Sequence, residues 1–231
     1  LVGLIVGSER AFREQAIGDI MLSSRDAEKS ILDTQSIVRE LETYPDIQSF
    51  SVRYKGSATV EANYKERRDL SAERDVVRAR ITGIDTEEEN ETTNLEKRVV
   101  EGSYLDPNEE GYILVGSLTL DRYASGFGDA FDSLREVQVG DTVRLSTEEV
   151  SKEFIVKGVV KSKVEDVSMG MFIPEKEFRR IFGRLDRNAD QVAIRVAPGV
   201  DESILKARMV ASGMDTKADI KTFNEGVPKF L

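Results

Sequence analysis

The spacing of apolar residues changes several times along the chain, and each change predicts an element. The run over 19–24, Asp-Ile-Met-Leu-Ser-Ser, has the density of a buried strand, and Asp26 stands where the N-cap of a following helix belongs. That helix carries Ile31, Thr34, Val38 and Leu41 on one face and ends by Tyr44-Pro45, because the residue before a proline is driven out of helical geometry. Strict alternation follows, with Phe50, Val52 and Tyr54 against Ser49, Ser51 and Arg53, and predicts a strand over 47–54 with one apolar and one polar face. Lys55-Gly56-Ser57 predicts a turn, and Ala58, Val60, Ala62 and Tyr64 predict the second strand of a hairpin.

The end of the chain repeats this grammar. Val192, Ile194 and Val196 predict a strand over 191–196, closed by Pro198-Gly199. Asp201 caps a helix through Ile204, Leu205, Arg208 and Met209 that stops at Ser212-Gly213, before a last strand over 219–223. Two strand–helix–strand units separated by a long insert predict an α+β fold, a split βαβ of ferredoxin-like type whose halves share one sheet. No sequence identity links the halves. The insert, 85–188, changes to short strands with frequent glycines, over 113–116, 139–145, 154–160 and 171–174. Pro174 opens a helix over 175–182, where its missing N–H costs nothing. The insert is thus a β-rich subdomain, entered and left through the first by two closely spaced crossings. Before it all, Phe12, Ala16 and Ile17 form a stripe among Glu9, Arg10, Arg13 and Glu14, which predicts a stalk-like helix over 8–18.

Charge and composition narrow the partners. Forty-three acids against 33 bases leave a net charge of -10, which repels a phosphate backbone and excludes nucleic acid as an expected partner. The chain has no His and no Cys, which removes Ser-His-Asp and thiol nucleophile chemistry, zinc sites with N or S ligands and CxxC redox pairs. The chain opens on Leu1-Val2-Gly3-Leu4-Ile5-Val6-Gly7, too short to span a bilayer and without the basic flank of a signal peptide. Of the two readings, a core segment or the outer end of a transmembrane helix belonging to a longer protein, the second is adopted.

Several motifs invite chemistry and are outweighed by plainer readings. Asp85-Thr86-Glu87-Glu88-Glu89-Asn90-Glu91 could ligate a hard cation, but it lacks the alternating ligands and central glycine of a calcium loop and reads as a solvated acidic loop. Asn90-Glu91-Thr92 is a glycosylation sequon whose chance occurrence is the default. Ser203 and Lys206 have Ser-x-x-Lys spacing without the further motifs of that catalytic class. Gly126 and Gly128 lack the Lys and Ser or Thr of a phosphate loop. No catalytic, cofactor-binding or metal-ligating residue is assigned, and no enzyme is expected.

Six segments then fall in a familiar order: Val77-Arg78-Ala79-Arg80-Ile81-Thr82-Gly83-Ile84-Asp85, Glu101-Gly102-Ser103-Tyr104-Leu105, Gly111-Tyr112-Ile113-Leu114-Val115-Gly116, Val139-Gly140-Asp141-Thr142-Val143-Arg144-Leu145, Phe154-Ile155-Val156-Lys157-Gly158-Val159-Val160 and Met171-Phe172-Ile173-Pro174. In this order the chain resembles the extracytoplasmic core domain of MacB-type ABC transporter permeases, the group that includes the lipoprotein-releasing permeases (LolC and LolE) and the division protein FtsX. The resemblance implies a Porter subdomain interrupted by a Sabre subdomain, which names the regions 1–18 (membrane-proximal stub and stalk helix), 19–84 (Porter, first part), 85–188 (Sabre-like) and 189–231 (Porter, second part and membrane-proximal end). It implies no cofactor and a place at the plasma membrane, on the extracytoplasmic side of a membrane-anchored protein. The implied partners are a separate cytoplasmic ABC ATPase, a second permease copy in a homo- or heterodimer, and an extracytoplasmic partner or substrate. The implied work is mechanotransmission, with the segments 4–18 and 224–231 carrying ATP-driven motion to the two subdomains. The chain departs from the pattern at 124–138, longer than in relatives and read as an idle surface insertion before a flap or partner-binding loop, and at Phe223, where relatives often carry Trp. The alternative is an exported stand-alone binding module whose β-rich insert holds a ligand. A paired-carboxylate enzyme is a third class, for which the many acids single out no pair.

Overall fold

The computed structural model describes residues 18–25, 30–65, 73–126 and 132–226. In chain order the first elements are β1 (Ile20–Ser23), α1 (Thr34–Leu41), β2 (Ile47–Ala62), β3 (Asp75–Ile84), α2 (Thr86–Thr93), β4 (Val99–Gly102), β5 (Tyr112–Gly116) and α3 (Asp121–Ala124). The rest are β6 (Thr142–Ser146), β7 (Ser151–Val160), α4 (Glu165–Met169), β8 (Gly170–Pro174), α5 (Glu175–Ile181), β9 (Gln191–Val196), α6 (Glu202–Ala211), β10 (Asp219–Thr222) and α7 (Phe223–Gly226). They form two compact units. Unit 1 comprises Leu1–Tyr54, Glu87–Asn94 and Leu185–Leu231, and unit 2 comprises Lys55–Thr86 and Leu95–Arg184.

Unit 1 carries strands in the order β10-β1-β9-β2, each antiparallel to its neighbour. β1 and β2 therefore run parallel with β9 between them, which is the split βαβ arrangement. Period-two alternation sends Ile20, Leu22, Val192 and Ile194 to one face, where they pack with Ile37 and Leu41 of α1 and Leu205 and Met209 of α6. The helix expected from Asp26 begins at Thr34 instead, after Asp33 in left-handed geometry at φ 54°. From that start the core-facing stripe is Thr34, Ile37 and Leu41, and Val38 is only half-buried. Asp26 itself lies outside the described residues. Asp201 caps α6 as expected, its carboxylate accepting the Ser203 N–H at 2.8 Å.

Unit 2 contradicts the predicted turn at Lys55-Gly56-Ser57, because β2 runs through it as one strand. Gly56 is there for packing: a Cβ on it would lie 2.4 Å from Cε1 of Phe182, whose ring stacks on Phe178 of α5 at 4.1 Å. The connection to β3 comes later, over 63–74, where Asn63 takes φ 55°. Consequently the stretch 55–86 belongs with 95–184, and the chain passes between units at four places where a single insert over 85–188 needs two. Among the described residues, the pairings of unit 2 close on themselves: β2 with β3, β3 with β8, β8 with β5, β5 with β7, β7 with β6, and β6 back to β2. That ring is a small barrel filled by side chains such as Val60, Val143, Leu145 and Phe154, all at most 1% exposed. β4 adds to the far half of β7, and β6 begins at Thr142 because 139–140 form a turn.

Candidate functional site

Three places concentrate polar chemistry, two in unit 1 and one in unit 2. The first is the end of the unit 1 sheet where the described chain enters and leaves. Ile20 of β1 stands opposite Thr222 of β10, and the Phe223 N–H donates to the Asp19 carbonyl at 2.8 Å. Gly18, at φ 73°, has room for no side chain, since a Cβ would lie 2.5 Å from the Ile194 carbonyl oxygen. The Asp19 carboxylate accepts the Val196 N–H at 2.9 Å, and Glu225 accepts from Lys206 at 2.6 Å and from the Thr222 N–H at 2.9 Å. Lys206, with the Thr222 N–H, holds the Glu225 carboxyl below its usual range. Of the expected stalk segments 4–18 and 224–231, all but Gly18 and 224–226 lies outside the described residues.

The second place is α2, expected as a solvated acidic loop. It is a helix, and its Glu89 is 2% exposed. The face of the sheet opposite the hydrophobic core carries Ser49, Ser51 and Arg53 of β2 with Ala193 and Arg195 of β9, as the register requires. Glu89 receives hydrogen bonds from Ser51 Oγ at 2.7 Å, from Arg53 through two nitrogens at 2.8 and 2.7 Å, and from Thr93 Oγ1 at 2.6 Å. Burial pushes its carboxyl up, but the Arg53 charge and these bonds outweigh burial and hold it below the usual range. Thr92 Oγ1 donates to Ser49 Oγ at 3.2 Å, and the Thr92 carbonyl accepts from Arg195 Nε at 2.7 Å. Asn90 of the sequon therefore sits in a docked helix whose Thr92 is fully buried.

In unit 2, an open hollow of about 430 Å³ lies at the foot of the 63–74 connection and of the 124–138 stretch, walled by Asn63, Glu73, Asp75, Asp121, Arg135 and Glu136 among others. Asp75 ties the two feet together, accepting from Asn63 Nδ2 at 2.7 Å and from the Arg135 N–H at 3.1 Å. Beside it the buried Glu61 takes Arg74 in a two-pronged pair at 3.0 and 2.9 Å and also pairs with Arg144. Arg74 first, then Arg144, bring the Glu61 carboxyl down from 4.5 to about 2 against its burial. A second hollow of about 720 Å³ shares Asp121 and Glu136 and adds Glu101, Arg122, Gln138 and Val139. There Arg122 and Tyr123 both donate to Glu101 and hold its carboxyl low. Such a surface suits a polar or cationic contact. Among the described residues no group of three or more acids converges as a metal site. Of the glycine pair, Gly126 is described, while Phe127, Gly128 and Phe131 lie outside the described residues. Ser203 is exposed on α6, and Lys206 is taken up by Glu225.

A family model described as the MacB-like periplasmic core domain matches residues 1–212. The chain belongs to that family. No curated protein matches it by sequence. Among solved structures, the periplasmic region of MacB from Actinobacillus actinomycetemcomitans is similar over 94% of this chain and 94% of that one, at 13% identity and a TM-score of 0.63. The extracellular domain of the noncanonic ABC-type transporter YknZ from Gram-positive bacteria is similar over 88% of this chain and 98% of that one, at 14% identity and a TM-score of 0.54. A domain of a putative permease protein from Porphyromonas gingivalis is similar over 92% and 94%, at 12% identity and a TM-score of 0.51. At such identities the likeness shows a shared fold, a mixed α/β arrangement similar to the MacB periplasmic region. No helix among the described residues of this MacB-like domain is long and apolar enough to cross a membrane.

Proposed function

We propose that this MacB-like core domain is the extracytoplasmic domain of an ABC transporter permease at the plasma membrane. In this reading a separate cytoplasmic ATPase drives permease helices, and the domain transmits that motion to the export or release of a substrate. The observation that carries the reading is the pairing of β1 with β10. It brings Asp19 and Phe223 within one hydrogen bond of each other, so two membrane segments attached at these ends would act on unit 1 at one point. A second permease copy completes the machine, and the linked hollows of unit 2 supply the surface for an extracytoplasmic partner.

The 231 residues contain no cysteine, so within this domain the introduced thiols are the only labelling sites, and cysteines elsewhere in the full-length protein or its ATPase are replaced by serine. The test uses the full-length protein purified with its ATPase and spin labels on Leu185→Cys in unit 1 and Glu149→Cys in unit 2, both exposed positions. ATP should change the distance distribution between the labels. An unchanged distribution during active hydrolysis, or the failure of any ATPase to copurify, overturns the reading and leaves the exported binding module, for which the hollows are the ligand site.

A further inference from the structure

We propose that α2 is a releasable strap: a helix held on the polar face of the unit 1 sheet by a buried ion pair and the hydrogen bonds around it, able to leave that face while the rest of unit 1 stays folded. Its sequence, Thr-Glu-Glu-Glu-Asn-Glu-Thr-Thr, contains no apolar side chain. The sheet face beneath it is mostly polar too, with Ser49, Ser51, Arg53 and Arg195 beside the small Ala193. Docking therefore gains little from the hydrophobic effect, which holds α1 and α6 on the other face through Ile37, Leu41, Leu205 and Met209.

Retention rests instead on directional bonds, those at Glu89 joined by two at Thr92, and these differ from apolar packing in one respect. A buried ion pair is nearly balanced against the hydration of its two charges, so opening α2 costs much less than unfolding the unit, while the hydrogen bonds around the pair keep the closed state the favoured one. The open state is also tolerable, because a helix of this composition and the strand face beneath it are both compatible with water. The chain is suited to the movement: unit 1 contributes Glu87–Asn94 as an isolated stretch with unit 2 sequence on either side, and the core strands β1, β9 and β10 do not pass through it. At Glu89 the closed state engages both carboxylate oxygens, with Thr93 Oγ1 also donating to them, so the bonds at this residue strengthen one another when α2 docks. The proposal stands on unit 1 alone and does not depend on the transport reading.

Amide hydrogen exchange on the 231-residue chain tests it. The amides over 90–94 should exchange through a local opening, faster than those of β1 and β9, whose exchange tracks unfolding of the whole unit. Glu89→Gln weakens the charge-assisted bonds and should speed exchange over 90–94 on the order of 10- to 100-fold while leaving β1 and β9 unchanged. The double variant Arg53→Met with Glu89→Leu replaces the pair by apolar groups and should slow exchange over 90–94 relative to the native chain. This variant also decides the matter if Glu89→Gln fails to fold. Exchange over 90–94 that matches β1 and β9 in the native chain, or a double variant whose 90–94 amides lose protection, overturns the proposal.

Discussion

Two carboxylates, Glu89 in unit 1 and Glu61 in unit 2, are each almost wholly buried and each paired with arginine, yet they sit in opposite electrostatic situations. At Glu89 the arginine is buried too, the side chains being 9% and 3% exposed. At Glu61 only the acid is buried, and Arg74 and Arg144 keep 55% and 36% of their side chains in contact with solvent. The difference teaches what each network does. A pair buried on both sides leaves a stranded charge when one member is lost, so it decides whether an element is docked or not. A buried acid reached by two half-solvated arginines can lose one and keep the other, which suits a clamp at the foot of a loop.

The comparison is broken most severely by Arg53→Ala, which leaves Glu89 buried without its counter-charge. Protection of the 90–94 amides should be lost, and unit 1, measured by urea unfolding followed through amides of β9, should lose up to about 3 kcal/mol. The limit is the docking free energy of α2, beyond which the helix releases Glu89 into water; amides of β7 in unit 2 should be unaffected. Intact protection over 90–94 with a loss below about 1 kcal/mol would mean that water reaches the site and that the two networks are alike.

Glu61→Gln is the matching change in unit 2, with an expected cost of about 1–2 kcal/mol, since both arginines turn to solvent and only charge-assisted bonds are forfeited. Acid sharpens the same contrast. The Glu61 carboxyl lies at about 2 in the folded chain against 4.5 ordinarily, so its contribution is complete above about pH 4.5 and drains away as the pH falls toward 2. Glu89 is shifted in the same direction and loses its contribution in the same sense. Thermal melts between pH 6 and 2 should show falling stability in the native chain and a shallower fall in Glu61→Gln; parallel curves for the two would remove Glu61 as a source of the acid sensitivity.

Much of unit 1 was legible in the sequence because its core strands bury one face, and period-two alternation reports that directly in Phe50, Val52, Val192 and Ile194. The same alternation marked Ser49, Ser51 and Arg53 as the polar face, but it could not tell a solvated face from one covered by a polar helix. Five acids and one amide over 85–91, interrupted only by Thr86, carry no periodicity, so nothing in them distinguishes Glu89 from Glu87, Glu88 or Glu91. Gly56 misled for a related reason: a glycine between polar residues reads as a turn unless the Phe182 ring that needs the space, far away in sequence, is known to be there. Closure of the barrel depends on β6 meeting β2, a pairing between positions 59–61 and 144–146 that no local pattern encodes. The segment order pointed to the MacB-like family and to a β-rich region here, without the closure itself.

The smallest effect is expected where both partners are solvated. Lys65 and Glu153 pair at 3.0 Å with side chains 58% and 52% exposed, and Arg80 and Asp166 pair at 2.6 Å with 55% and 73% exposed. The attraction in each is screened by water and salt, and holding two long side chains together costs rotamer entropy. Removing either pair by double alanine substitution should therefore change stability by at most about 0.5 kcal/mol, and raising the salt to roughly the molar range, where screening is nearly complete, should erase even that. The Arg53–Glu89 coupling, measured by a double-mutant cycle under the same two salt conditions, should survive, because counterions do not enter a site from which both charges have been withdrawn. A coupling at Arg53–Glu89 that collapses with salt as the surface pairs do would place α2 in solvent for much of the time and set the strap open, not closed, as its resting state.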